Sequence, residues 1–271
     1  MVKTVVKLLG FNTVDIMIFD SHAHYDDEAF NEDRDKVIMG LNDKGVIGVL
    51  NCGASIEGAR MSVQLSNKYN FIYSAVGIHP EYADIVNDDV IKELRDLSHQ
   101  PKVRAIGEIG LDYHTEENPD KEIQKVAFKL QMELAKELKL PVVIHDRDAH
   151  KDTLDILKEF PEVIGTIHCF SGSVEFAREC LKLGYYIGFT GVITFKNAKK
   201  TVEVAREVPM DRLLVETDCP YMAPVPLRGK RNESDYIKYI IEKISQVKEK
   251  TIKEIEESTI KNIKNLLSIE K

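Results

Sequence analysis

Short runs of apolar, often β-branched residues recur along the chain, and an amphipathic stretch follows each of them. The runs are continuous and do not alternate with polar residues, which is typical of parallel strands covered by helices. In residues 120–138, helical spacing predicts an apolar stripe formed by Ile123, Ala127, Leu130, Leu134 and Leu138. The predicted strands occupy residues 16–20, 46–50, 71–77, 103–107, 141–145, 163–168, 185–191 and 213–217.

This alternation favours one fold class. Eight strands, each followed by a helix, in about 250 residues are typical of a (β/α)8 TIM barrel. The alternative is a doubly wound sheet, which normally carries a glycine-rich phosphate turn after its first strand. Two more helices are predicted over residues 233–248 and 251–269. We therefore predict one barrel domain over residues 17–271, with its functional site at the C-terminal ends of the strands.

The composition of the chain indicates where the protein is located and which partners it binds. The chain has 271 residues and a formal net charge of -8, so it lacks the basic surface of tight, non-specific nucleic-acid binders. Bound cations could reverse that sign locally and admit a phosphate substrate. The four cysteines lack metal or redox spacing, and no signal peptide or membrane-spanning run is recognisable. We expect a cytoplasmic monomer with no membrane partner.

Two histidines follow the first predicted strand, in residues 16–27 (IMIFDSHAHYDD). Side chains two positions apart on a strand point the same way, so His22 and His24 could bind one cation if the strand extends that far. The alternative is a pair of histidines in a polar loop. Only the rest of the sequence can decide, because such a pair is common by chance.

Four more candidate ligands stand at the ends of predicted strands: Glu108 after the fourth, His145 and His168 closing the fifth and sixth, and Asp218 after the eighth. Either histidine alone could be a buried core residue. Together, however, these groups at one rim would repel or stay unsatisfied without a cation. Six ligands exceed the three protein ligands of one catalytic zinc and suit two divalent ions that share a carboxylate, for which Glu108 is the natural bridge.

At this point the chain resembles the TatD-type deoxyribonucleases, a branch of the amidohydrolase-like metal-dependent hydrolases. The resemblance extends from residue 18 to about residue 269 and implies a TIM barrel. It also implies one metal held by His22, His24, Glu108 and Asp218, and a second held by Glu108, His145 and His168. The motifs, in order, are FDSHAHYDD, AVGIHP, AIGEIGLDY, LPVVIHDRDA, HCFSGS and LLVETDCPYMAPVPLRGKRNE.

The chain departs from that family at its start, since members typically begin within a few residues of the first strand. Residues 1–16 are here either a genuine extension or the product of a start assigned too early, because Met17 would serve as a start. The intact mass of protein from its native host would decide between the two.

Our hypothesis is hydrolysis of DNA phosphodiester bonds, at short or single-stranded ends, by a hydroxide that two metal ions activate. Asp218 would orient the water and take its proton, and Glu108 would bridge the ions. Zinc, manganese, iron and nickel all suit these ligands, and magnesium would serve in excess.

Substrate contacts are predicted around this centre. His79 could reach a phosphate oxygen or cap a turn, and Arg147 could bind phosphate or pair with a neighbouring aspartate. Asp112 and Tyr113 follow the fourth strand, where they could line the pocket, although Tyr113 could simply pack against the rim. Glu216 could orient a ligand histidine or form an inner ion pair. The basic loop, Arg228, Lys230 and Arg231, could bind a phosphate backbone or simply be solvated.

Two rival functions stay open. The first is an ester or amide hydrolase on the same barrel, for example one acting on aminoacyl-tRNA, because the fold does not fix the substrate. The second is a non-catalytic partner protein that has lost turnover. The expected ligands are all present, which argues against the second rival, and absence of bound metal would revive it.

Overall fold

The computed structural model describes residues 16–269, and its eight parallel strands pair in chain order from β1 to β8. The strands are β1 Ile18–Ala23, β2 Val46–Cys52, β3 Ile72–Val76, β4 Val103–Asp112, β5 Val142–Arg147, β6 Gly165–Ile167, β7 Tyr186–Phe189 and β8 Leu213–Val215. The helices are α1 Arg34–Leu41, α2 Ile56–Lys68, α3 Asp88–Ser98, α4 Lys121–Leu138, α5 His150–Glu159, α6 Val174–Lys182, α7 Lys199–Glu207, α8 Ile237–Lys248 and α9 Ile252–Leu266. The predicted TIM barrel is confirmed.

The barrel closes where β1 meets the residues after β8. Ala23 forms a parallel bridge with Cys219, and the amide of Asp218 donates to the carbonyl of His22 at 3.0 Å. The amide of His24 donates to the carbonyl of Cys219 at 2.8 Å. These bonds place the end of the last strand beside the two histidines of the first.

The predicted apolar stripe of α4 was partly wrong. Ala127 and Leu134 are buried, but Ile123 and Leu130 are 44% and 37% exposed. The face of α4 that packs against the barrel carries Phe128, Met132 and two buried glutamines instead.

Those glutamines hold the ends of two strands. The side chain of Gln124 accepts from the amide of Asp112 at 2.8 Å and donates to its carbonyl at 2.9 Å. Gln131 pairs in the same way with Ile78, at 2.7 and 3.0 Å. A buried amide is stable where both of its polar atoms are paired, so α4 fixes the exits of β3 and β4.

Several boundaries differ from the prediction. β4 continues to Asp112, five residues past its predicted end, whereas β6 and β8 have three residues each. Apart from Ile16, the predicted extension over residues 1–16 lies outside the described residues. Among the helices that the structure describes, none combines the length and apolar character needed to cross a bilayer.

Candidate metal centre

The predicted ligands lie together at the C-terminal ends of the strands. His22, Glu108 and His145 belong to β1, β4 and β5. His24 and His168 directly follow β1 and β6, and Asp218 is the third residue after β8. His145 is partly buried, and the remaining five, His22, His24, Glu108, His168 and Asp218, are buried.

The first group of ligand atoms surrounds the Nε2 atoms of His22 and His24, which are 2.9 Å apart. Oε2 of Glu108 lies 3.2 and 3.4 Å from these two nitrogens. Oδ1 of Asp218 lies 3.7 and 3.4 Å from them. The extended β1 and the closing bonds to the residues after β8 produce this convergence.

The second group surrounds the other oxygen of Glu108. Oε1 lies 2.8 Å from Nδ1 of His145 and 2.7 Å from Nε2 of His168. The two nitrogens are 3.2 Å apart. The carboxylate of Glu108 therefore faces one pair of histidines with each of its oxygens.

The outward hydrogen bonds of the histidines determine what they present to the centre. Nδ1 of His24 lies 2.7 Å from the carbonyl of Cys52, and Nε2 of His145 lies 3.0 Å from Oδ2 of Asp112. A neutral imidazole that donates to these acceptors directs its lone pair inward. Lone pairs then face the carboxylate oxygens of Glu108, an arrangement that requires a cation between them.

The pKa values indicate the same demand for positive charge. Burial would raise the pKa of Glu108, but the charges of His168 and His22 hold it well below its usual range. Burial likewise raises the pKa of Asp218, but its bond with His24 and the charges of His168 and His22 together lower it below its usual value. Burial lowers the pKa of His24, yet Asp218 and Glu108 raise it well above its usual value.

Both groups fit a metal ion. In a tetrahedral site with bonds of about 2.1 Å, ligand atoms lie roughly 3.4 Å apart. The separations of 2.9–3.7 Å in the first group fall around that length, and those of 2.7–3.2 Å in the second group are somewhat shorter. The donors are imidazole nitrogens and carboxylate oxygens, which suit zinc, manganese or iron.

Glu216 supports the second group from below. Its Oε1 accepts from the amide of Cys169 and lies 3.6 Å from Nδ1 of His168, which is too long for a hydrogen bond. Its Oε2 accepts from the hydroxyl of Ser21. Gly188 on β7 leaves the space for this carboxylate, since a Cβ there would lie 2.5 Å from Oε2. Of the two predicted roles, the structure places Glu216 next to a ligand histidine.

Three predicted substrate contacts line a cavity of about 650 Å³ above the centre: His79, Asp112 and Arg147. Spacing alone would allow Nε2 of His79 to share a cation with Glu108 and His145. However, Nδ1 of His79 accepts from the amide of Glu81 at 3.2 Å, so its proton is on Nε2. Burial, and then His145, lower the pKa of His79 to about 3, so the ring is neutral. His79 is thus both a helix cap and a hydrogen-bond donor facing the cavity.

The structure places the other predicted contacts differently. Asp112 lines the cavity, but its carboxylate is bonded to His145, so it orients a ligand. Tyr113 does not line this cavity, because its hydroxyl donates to Asp152 at 2.9 Å and its ring packs under Lys121.

The basic loop is also absent from the described cavity wall. Arg231 forms two bonds to Asp33, at 2.7 and 2.8 Å, and stacks over Phe30. Arg228 lies over the ring of Phe195. Lys230 is exposed. Two of the three cations are therefore occupied in fixing the loop itself.

The sequence reasoning missed the role of Asp20. This buried carboxylate accepts from the amide of Thr217 at 2.9 Å and the hydroxyl of Ser234 at 2.7 Å. It thereby ties β1 to the residue before Asp218. The available signal was a carboxylate directly after the apolar run of residues 16–19.

Comparison with known proteins agrees with this geometry. The family model "TatD related DNase" matches residues 19–268. An uncharacterized metal-dependent hydrolase, YabD of Bacillus subtilis, is 46% identical over 255 residues, which cover 93% of this chain and 100% of YabD. The 3'-5' ssDNA/RNA exonuclease TatD of Klebsiella pneumoniae is 33% identical over 260 residues, covering 93% and 98%. The crystal structure of YjjV, a TatD homolog from Escherichia coli K12, superposes with a TM-score of 0.88 at 29% identity, covering 94% and 100%.

The barrel and its cluster of ligands thus define a metal-dependent hydrolase. The chain belongs to the TatD related DNase family.

Proposed function

We propose that the protein is a deoxyribonuclease that hydrolyses phosphodiester bonds at short or single-stranded DNA ends with two divalent ions per chain. The observation that carries this proposal is the position of the Glu108 carboxylate between two pairs of histidines. One of its oxygens faces His22 and His24, and the other faces His145 and His168. Shared carboxylates are typical of paired ions about 3.5–4 Å apart in phosphate-cleaving enzymes. The Klebsiella relative is named as an exonuclease, which supports cleavage of the same kind of bond.

When bound, the ions would lower the pKa of a water and polarise the scissile phosphate. Asp218, ionised and open to the cavity, would orient that water and accept its proton. His79 would donate its Nε2–H to a non-bridging oxygen, and Arg147 would bind a neighbouring phosphate. The water oxygen bonds to phosphorus as the bond to the leaving sugar oxygen breaks, and the proton passes from Asp218 to that oxygen.

One observation favours a second candidate, an ester or amide hydrolase. Seven carboxylates line the cavity, and within the part of the chain that the structure describes Arg147 is its sole lysine or arginine. A wall with this excess of carboxylates would repel an anionic substrate and would accept a neutral one. The basic loop does not change this balance, because Arg231 is paired with Asp33.

The test combines metal content with substrate range. Metal per chain is measured by mass spectrometry on protein purified without chelator. Hydrolysis of a 5′-labelled single-stranded DNA oligonucleotide and of bis(p-nitrophenyl) phosphate is then followed with and without Mg2+ or Mn2+. We expect about two ions per chain and metal-dependent shortening of the oligonucleotide, with turnover lost in Asp218→Asn.

Other outcomes would redirect the function. Two ions without phosphodiester cleavage, but with turnover of aminoacyl esters or small amides, would replace the nuclease by the second candidate. A protein without metal or turnover on any of these substrates would contradict both and favour a non-catalytic role.

A further inference from the structure

Three large apolar side chains are exposed where the cavity opens. Tyr82, Tyr221 and Met222 are 41%, 54% and 40% exposed, and all three line the cavity. We call this surface, which two tyrosine rings and one methionine form, the aromatic wall. Exposed aromatic surface in a cleft costs free energy in water, so a cleft that retains it is suited to an apolar or aromatic ligand.

Tyr221 is anchored beside the metal ligands by its hydroxyl and its backbone, and Tyr82 by its backbone. The hydroxyl of Tyr221 donates to Oδ2 of Asp27 at 2.7 Å, and its amide donates to the carbonyl of Asp218 at 2.8 Å. The amide of Tyr82 donates to the carbonyl of His79 at 2.9 Å, within the short helix that His79 caps. The ring of Tyr221, which its hydroxyl holds in place, loses little conformational freedom when a flat ligand packs on it.

The charges around the wall exclude phosphate. Asp27 and Glu81 lie close enough to both tyrosines to raise the pKa of each further, beyond the larger effect of burial. Repulsion from these carboxylates disfavours a phosphate here, whereas the face of a neutral ring is compatible with them. A ligand group that rests on the wall is therefore uncharged and flat.

The positive charge of the cavity lies on another part of the barrel. Tyr221, Asp27 and Tyr82 follow β8, β1 and β3. These strands lie in the same part of the closed sheet, with β2 between β1 and β3. Arg147 belongs to β5, and the polar side chain of Asn118 follows β4. The metal ligands belong to or follow β1, β4, β5, β6 and β8, so they reach both parts of the rim. A bound strand can thus place its next phosphate toward Arg147 and leave no phosphate on the tyrosine side.

We propose that the aromatic wall binds the nucleobase of the terminal nucleoside, so that the enzyme cuts at the bond next to a strand end. This inference rests on the proposed nuclease function and adds the part of the substrate that the site recognises. Because stacking tolerates all bases, the wall selects for the presence of a base and is indifferent to which base it is.

The test compares metal-loaded enzymes on single-stranded oligonucleotides whose terminal residue, at the 3′ or the 5′ end, is either natural or abasic. For the wild type we expect kcat/KM to be about 5- to 150-fold higher on the natural end, chiefly through KM, the range for one stacked base. In Tyr82→Leu/Tyr221→Leu the ratio should fall towards one. Tyr221→Phe, which keeps the ring, should retain most of it.

Two controls separate recognition from folding. Met39→Ala removes an exposed apolar side chain of α1 that does not line the cavity, and it should keep the wild-type ratio. Metal content and melting temperature of each variant must match those of the wild type. If the wild type cleaves natural and abasic ends equally well, or if the leucine variant keeps the wild-type ratio, this inference is overturned and the proposed function stands. If the loaded wild type cleaves no oligonucleotide, the proposed function falls and the inference falls with it.

Discussion

Nε2 of His145 donates to Oδ2 of Asp112 at 3.0 Å, which leaves Nδ1 as the nitrogen that faces Glu108. This single bond determines how the second group of ligands is presented. Asp112 is held in turn by α4, because Gln124 pairs with its backbone amide and carbonyl. A helix on the outside of the barrel thus controls the orientation of a ligand at its rim.

Because Asp112 orients His145, we predict that Asp112 affects the metal affinity of the second group of ligands. We expect Asp112→Ala to weaken binding at the second group by about 10- to 100-fold, as is usual when the partner of a ligand histidine is lost. Asp112→Asn should be milder, because its amide oxygen can still accept from His145. Metal bound per chain is measured across a range of buffered free metal. Asp148→Asn, an exposed carboxylate that pairs with His114, is the control, and equal affinities in all four proteins would refute the role.

Gly188 should be intolerant of any side chain. A Cβ there would lie 2.5 Å from Oε2 of Glu216, so Gly188→Ala must displace that carboxylate from His168 and from the amide of Cys169. Leaving the amide unpaired should lower the free energy of unfolding by about 1–3 kcal/mol. Metal affinity should fall as well.

A double-mutant cycle checks this cause. In the Glu216→Ala background the cost of Gly188→Ala should shrink, with a coupling of about 0.5–3 kcal/mol measured by urea unfolding. Gly40→Ala in α1, where a Cβ would meet nothing within 4 Å, serves as the comparison and should raise the free energy of unfolding slightly, because alanine favours a helix over glycine. Additive costs would show that Gly188 acts through some other neighbour.

Metal and protons should compete for the centre. In the metal-free protein, burial lowers the pKa of His24 and His168, but Glu108 raises both well above their usual value, with help from Asp218 and Glu216 respectively. A raised histidine pKa stabilises the fold fully below the unfolded value of about 6.5, and this stabilisation is lost as pH rises through the folded pKa. Metal binds the deprotonated rings instead.

We therefore expect the melting temperature of chelated protein to fall as pH rises above about 6.5. The metal-loaded protein should hold its melting temperature over the same range, so the gap between the two widens. Ions at a hundredfold excess over Kd would contribute about 2.7 kcal/mol at each site. A gap that is constant with pH would mean that these histidines do not exchange protons for metal.

The periodicity of apolar runs was sufficient to predict the barrel, because parallel strands buried on both sides leave a strong pattern. It failed at α4, where Gln124 and Gln131 occupy the buried face and Ile123 and Leu130 are exposed. Those glutamines are stable only because the backbones of Asp112 and Ile78 pair with them. Periodicity cannot register such pairing, since the partners belong to other elements.

The ligand set was readable because strand ends meet at one rim whatever their separation in the chain. The outer contacts were not, because they depend on directions that only the folded chain defines. Arg231 stood in a basic loop on the correct face, yet its guanidinium turns to Asp33. Tyr82 lies two residues after the AVGIHP motif, which drew attention only for His79, and its exposure became apparent only in the cavity.

The two arginines should therefore respond differently to substitution. Arg147→Ala removes the cation of the cavity wall and should raise KM for single-stranded DNA. Each lost phosphate contact also reduces the slope of log(kcat/KM) against log salt concentration by about 0.7. Arg231→Ala should leave both quantities unchanged and lower the melting temperature, because its guanidinium spans Asp33 and the ring of Phe30. Steady-state rates on a short oligonucleotide at graded salt, with melting curves alongside, separate the two effects. If the salt slope follows Arg231 and ignores Arg147, the strand runs over the basic loop, and the phosphate side of the cavity is the one formed after β8.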